Sequence, residues 1–296
     1  VNVLDCFSIY AESSVQDEKV LHAAAIAAEL LDNDEDGVVD SPEIFHILQS
    51  QNALMPIFTS EWSSCLDSFE QNYNGDGVSA ILFRNEMDPS QPGYWGEDAS
   101  VEEIIHTINH VAHVALYPEI FGIQPNSSIM SDAMDLARGG QFISVPNQYP
   151  ESAWYHYDDW TCDYECMAIE YLYWCIVSYM GILDDIQTCN GIANEWELCS
   201  PELFEQTDTI MHQVVSSLEN NLPQFAPDGN YCPDNLIGDV NGDGIINILD
   251  VISVINMIFD TNLINQSADI NTDGFVNILD VIGIVNIILG NEINQI

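Results

Sequence analysis

Basic residues are almost missing from this chain. Lys19, Arg84 and Arg138 stand against 48 acidic residues, for a formal net charge of −45. Such a surface repels a phosphate backbone, which argues against nucleic acid as a partner. Long hydrophobic runs are missing too. No stretch of about 18 apolar residues is free of charge, so no membrane span is expected. No signal peptide is legible at the start, which fits a mature form. None of the cysteines falls in a paired C-x-x-C pattern, so a zinc finger is not indicated.

What is present begins with the acid itself. Self-repulsion of this size destabilises a compact state unless cations offset it. Either ions of a salty medium screen the surface, or the carboxylates bind Ca²⁺. Apolar residues make up 47% of the chain, enough for a real core. The eight cysteines are Cys6, Cys65, Cys162, Cys166, Cys175, Cys189, Cys199 and Cys232. Their even number and scatter read as disulfides of an oxidising compartment. Cys6–Cys65 and Cys189–Cys199 are the expected pairs, and Cys175, inside an apolar helix, is expected as a buried free thiol.

The last section repeats itself. "GDVNGDGIINILDVISVINMI" and "ADINTDGFVNILDVIGIVNII" each carry D-x-N-x-D-G-x-x-N-x-x-D and run into an apolar helix. Oxygen ligands at loop positions 1, 3, 5, 9 and 12 suit Ca²⁺. They are Asp239, Asn241, Asp243, Asn247 and Asp250, then Asp269, Asn271, Asp273, Asn277 and Asp280. The Ile245 and Phe275 carbonyls fill position 7, and Gly244 and Gly274 make the turn. This pair resembles a dockerin domain over residues 237–293. The resemblance implies docking to a cohesin-like or surface scaffold protein through the paired helices. Many dockerins carry hydroxyl residues at positions 10 and 11. Ile248–Leu249 and Ile278–Leu279 stand there instead, which implies an apolar interface. A calcium-stabilised stalk, an intramolecular packing module and self-assembly are the other readings.

"DNDEDGVVDSPE" meets the EF-hand template. Its ligands would be Asp32, Asp34, Asp36, the Val38 carbonyl, Asp40 and Glu43. Helices are expected on both sides, over "KVLHAAAIAAELL" and "PEIFHILQS". Three calcium sites are thus expected, this loop acting as a strut. A second loop beginning at Asn72, "NYNGDGVSAILF", has Ala80 and Phe83 where oxygen ligands belong. It would complete an EF-hand pair only in degenerate form.

The expected fold class is mostly α. An EF-hand-like calcium-binding region fills residues 1–90, a helical domain 91–232, and the twin repeat 237–293. In the middle region, "SVEEIIHTINHVAHVALY" is expected as one helix, with Ser100 as N-cap and Glu103 at N3. Its i, i+3, i+4 spacing puts Glu103, His106, His110, His113 and Tyr117 on one stripe. His106 and His110 have the spacing of H-E-x-x-H zinc ligands, but Thr107 stands where the general-base Glu belongs. His113 lies too far along the helix to share that ion. Glu170, inside the apolar "CDYECMAIEYLYWCIVSYMG", is the expected third ligand, because a buried ionised acid needs a cation. Two helices of this kind loosely resemble a zincin. The bland accounts are hydrogen-bonded core histidines and a hydrogen-bonded core acid.

Glu103 or Asp163 is the candidate catalytic base, and Tyr155 or Tyr157 a hydrogen-bond donor. Arg138 reads as an ion-pair hub or a carboxylate anchor. Two functions follow. One is a secreted, calcium-stabilised, zinc-dependent hydrolase of the peptidase type, tethered through the dockerin. The other is a non-catalytic extracellular structural or adhesion subunit.

Overall fold

The computed structural model describes residues 1–89, 98–233, 238–241, 245–259, 268–271 and 275–289. It divides into two compact units. Val1–Asn33 with Val39–Tyr231 form the first, and Asp34–Val38 with Cys232–Ile296 the second.

The first unit holds a small sheet in the order β1 (Asn2–Val3), β2 (Phe7–Ala11), β3 (Leu54–Phe58) and β4 (Leu82–Phe83). The β1–β2 pair is antiparallel; β2–β3 and β3–β4 are parallel. "LMPIF" is buried along nearly its whole length, as parallel strands are. Such a run lacks the period-2 alternation that marks a half-exposed strand. The crossover from β2 to β3 contains α1 (Asp17–Leu31) and α2 (Pro42–Gln51). These are the two helices expected around the acidic loop. Ser41 caps α2 by accepting from the Ile44 N–H, with Pro42 in its first turn, and left-handed Asn52 ends it.

The loop after α3 (Ser64–Asn72) leads into β4, not into a helix. The segment at Asn72 is therefore not the second member of a helix–loop–helix pair. Leu54 N–H donates to the Gly77 carbonyl, which binds that loop to the sheet.

Helices α4 (Ser100–Ile108), α5 (Val114–Leu116), α6 (Pro118–Phe121), α7 (Ile129–Ala137), α8 (Tyr164–Tyr179), α9 (Ile186–Ile192), α10 (Pro201–Thr207) and α11 (Thr209–Val215) complete the first unit. One continuous core includes Phe7, Ile26, Met55, Ile104, Leu172 and Met211. The boundary read at residue 90 does not interrupt it. Helix α8 is buried on nearly all sides from Met167 to Ser178, as its largely apolar sequence requires, with Glu165 exposed at its start and Glu170 half-buried. Trp196 packs there against Trp174, Tyr155 and Tyr171, and donates to Ser178 Oγ and the Leu198 carbonyl.

Disulfides join Cys189 to Cys199 and Cys162 to Cys166. Cys6 and Cys65 are not bonded, one being buried and the other exposed. Cys166 takes the partner role instead, because four-residue spacing at a helix start brings its Cα within 5.4 Å of that of Cys162. Cys175 is a buried free thiol, as its apolar helix implied.

In the second unit, α12 (Ile248–Phe259) and α13 (Ile278–Ile288) pack through Val251, Val254, Met257, Val281 and Ile284, with Val240, Ala268 and Ile270. Gly283 is required by this packing, since a Cβ there would lie 2.7 Å from Ile270 Cγ2. Among the described residues no helix is long and apolar enough to cross a membrane.

Candidate functional site

Helix α4 is anchored by Asp98, not by Ser100. The Asp98 carboxylate accepts from the Ser100 N–H at 3.0 Å and meets His22 Nε2 at 2.5 Å. Ser100 is the first helical residue, and its buried hydroxyl makes no hydrogen bond. Three residues on, α4 presents Glu102, Glu103 and His106.

Beyond Ile108 the helix widens into a π turn over Asn109–His113. The i→i+5 bonding of such a turn shifts the register of the side chains that follow. The single histidine stripe is broken accordingly. His106 and His113 are buried, whereas His110 is exposed. His113 Nε2 donates to the Asn221 carbonyl at 3.0 Å, and the ring packs against Phe121 and Tyr117.

Burial pushes the His113 pKa down to about 4, with the carbonyl contacts acting against the fall. A folded-state value below the unfolded one gives stability that is present above about pH 6.5 and lost as pH falls towards 4. The gap corresponds to roughly 3 kcal/mol. His113→Phe is expected to remove that pH dependence. Urea unfolding at pH 7 and pH 4.5 would check it: equal pH sensitivity in both proteins would show the assignment to be wrong.

Helix α8 brings Glu170 to face His106. Nε2 of His106 lies 3.4 Å from Glu170 Oε2, and Nδ1 lies 3.7 Å from Glu103 Oε2. The imidazole is buried, yet Nε2 makes no hydrogen bond. Glu102, His106 and Glu170 each offer one ligand atom, all within 4.8 Å of one another. A pocket of about 290 Å³ opens beside them, lined by Glu103, His106, His110, Glu165 and Glu170 and by the apolar Ala80, Ile123 and Ile169.

Sequence spacing pointed to His106, His110 and Glu170. The compact triangle contains Glu102 in place of His110, which lies at the pocket wall. Glu102 stands at i, i+4 from His106 just as His110 does, so the helix offered both, and the packing of α4 against α8 selected Glu102. Tyr157, one of the two tyrosines read as donors, lies where Glu170, after burial, pushes its hydroxyl pKa up. Tyr155 is fully buried and donates to the Met167 carbonyl, so it serves the core.

Asp163 is the N-cap of α8, accepting from the Cys166 N–H at 3.0 Å, and does not line the pocket. Arg138 is fully buried against Asp135, Tyr164 and Phe142, an ion-pair hub and not a surface anchor.

The charges of the triangle are coupled. Burial pushes the Glu102 carboxyl up to about 8; His106 opposes the rise, while Glu170 and Glu103 add to it. Burial also acts against a charged His106. The Glu170, Glu103 and Glu102 carboxylates outweigh it and hold the imidazole well above its ordinary range. The crowding of carboxylates thus favours the protonated forms of Glu102 and His106. The His110 pKa is lowered, chiefly by desolvation, with Glu165 acting against it.

Around the N-terminal acidic loop, Asp32 is fully buried and accepts from the Tyr231 hydroxyl, and Asp40 accepts from the Asn33 N–H. Glu43 is exposed and takes a hydrogen bond from Ser41 Oγ. In the second unit, Asp34 is exposed, and Asp36 accepts from the N–H of the exposed Val38.

The C-terminal loops close in the same way twice. Asp250 is fully buried and accepts from the Val240, Asn241 and Asn247 N–H groups. Asp280 accepts from Ile270, Asn271 and Asn277. Asn247 and Asn277 cap the helices by accepting from Leu249 and Leu279, and they donate to the Ile245 and Phe275 carbonyls. Asp239 is buried and Asp269 half-buried, Asn241 and Asn271 are exposed, and Asp243 and Asp273 lie outside the described residues. Ile248, Leu249 and Ile252 are exposed on α12, and Ile278, Leu279 and Ile282 at the matching places on α13.

Two loop–helix units with this cage define a duplicated calcium-binding module. The dockerin type I domain model matches it over residues 237–294, and this segment is a dockerin type I domain. Dockerin domains bind calcium and dock on cohesin domains of extracellular scaffold proteins. Comparisons of the chain with curated proteins and with solved structures gave no match.

Proposed function

We propose that the first unit is a metal-dependent hydrolase of the peptidase type, delivered to a scaffold by its dockerin. The observation that carries this reading is the buried Nε2 of His106, which makes no hydrogen bond and lies with Glu102 and Glu170 as a compact set of ligand atoms beside a pocket. Glu102, His106 and Glu170 would hold the ion, and their donor set of nitrogen and oxygen suits Zn²⁺. A zinc ion would supply an acidified water there. Glu103, beside Nδ1, orients the ring, as carboxylates behind metal-bound histidines do. His110, with its lowered pKa, is neutral at pH 7 and suited to accept a proton from water. Glu103 is thus moved from base to positioning residue, and Asp163 plays no part.

The direct test is elemental analysis of purified protein. About one transition-metal ion per chain, lost in His106→Ala, is the expected result. A preparation with calcium alone, unchanged by His106→Ala, would favour the non-catalytic structural or adhesion subunit.

We also propose that the loop from Asp32 to Glu43 holds a calcium strut, on its ligand pattern and its flanking helices α1 and α2. Calcium titration should then count three ions per chain, and two in Asp32→Ala. An unchanged count in the variant would remove this site.

A further inference from the structure

The pocket beside His106 has an excess of carboxylates and an apolar wall, and these two features together select a ligand. Glu103, Glu165 and Glu170 line it together with His106 and His110, and neither a lysine nor an arginine does. The three basic residues are engaged elsewhere. Lys19 Nζ donates to the Arg84 and Met87 carbonyls, Arg138 is fully buried against Asp135, and Arg84 acts on Glu12. A substrate carboxylate or phosphate would thus meet three carboxylates and no lysine or arginine in the pocket.

Glu165 is exposed at the rim, where Gln124 Nε2 donates to its Oε1 at 2.5 Å. The Cys162–Cys166 disulfide braces the helical turn that carries it. Ala80, Ile123 and Ile169 supply an aliphatic surface in the same pocket. His106 Nε2, buried and without a hydrogen bond, gives the pocket its polar floor.

We propose that this pocket takes a cationic group on an aliphatic stem, as in a lysine or arginine side chain of a peptide. The stem lies on Ile123, Ile169 and Ala80, as long basic side chains lie on apolar surface, and the charged head meets Glu165. Once Glu102 and Glu170 serve an ion, Glu165 is the carboxylate left to specify charge. The inference rests on the hydrolase reading for its site, and its test is separate. A carboxylate-terminal peptide is disfavoured, so cleavage within a chain is expected.

Equilibrium binding of N-acetyl-lysine amide, N-acetyl-norleucine amide and N-acetyl-glutamate amide to the full chain reads this directly, by calorimetry. The lysine amide should bind about tenfold more tightly than the norleucine amide, the size of one or two partly exposed charge pairs. The glutamate amide should bind least. Glu165→Gln should remove most of the lysine preference, and Glu165→Asp should restore part of it, which a general loss of folding would not do. Equal binding of the three amides, or none, overturns the inference. Lysine-selective binding in a protein that cuts no peptide would sink the hydrolase reading and leave the pocket's selectivity standing.

Discussion

Asp250→Ala is expected to unfold the dockerin and abolish docking on a cohesin scaffold, and calcium chelation should do the same. The Asp250 carboxylate is fully buried and holds three backbone N–H groups of its loop. A buried donor deprived of its acceptor costs roughly 1–3 kcal/mol. At about 0.1 kcal/mol per residue, a domain this small has only a few kcal/mol to lose. The same substitution would also take away the ligand expected for calcium at loop position 12, and metal binding in such domains is part of folding.

Asp280→Ala should behave alike, because Ile270, Asn271 and Asn277 converge on it in the same way. Circular dichroism with and without chelator would show the loss of α12 and α13. A calcium-loaded, folded Asp250→Ala protein would contradict this account of the loop. The exposed Ile248, Leu249, Ile278 and Leu279 provide a contrast. Polar substitution there should weaken docking while calcium binding and folding stay intact, since these side chains are outside the core.

The second large effect is expected at the first unit. His106→Ala should lower transition-metal affinity by more than about 100-fold and remove hydrolytic activity with it. The comparison that matters is with its neighbours. Glu103→Gln removes only an orienting carboxylate, and such partners are worth about 10–100-fold in metal affinity. His110→Ala should keep the metal and lose about 10²–10⁴-fold in kcat, as expected when a general base is removed. Glu102→Ala, in turn, should lose metal. Retention of metal by Glu102→Ala and its loss from His110→Ala would restore the ligand set suggested by i, i+4 spacing and overturn the one proposed from the geometry. Because the neighbouring carboxylates favour the protonated forms of Glu102 and His106, metal uptake should also release protons; a pH-indicator titration would detect it.

Much of this protein was legible one element at a time. The dockerin repeat could be read because all of its chemistry lies within a short loop and the helix that follows, and a fixed spacing encodes a fixed geometry there. Helices α1 and α2 followed from composition and caps in the same local way. The sheet was not legible. "FSIYA" and "LMPIF" are short, and a buried parallel strand loses the alternation that identifies strands. The helix of "EEIIHTINHVAHVALY" was correctly expected in kind but not in register, because α-helical periodicity cannot anticipate the π turn at Asn109–His113.

The sequence by itself determined the strongly acidic composition, the twin loop–helix repeat of the dockerin and the presence of Glu170 within an apolar helix. Tertiary structure alone decided which groups meet. It brought Glu170 to His106 and its i, i+4 neighbour Glu102, sent His113 to the Asn221 carbonyl, left His110 at the pocket wall and committed Asp163 to a helix cap. The physical reason is that spacing along a chain sets neighbours within one helix, whereas the rotation of one helix against another is set by packing. A site built between α4 and α8 exists only once both have been rotated into the common core.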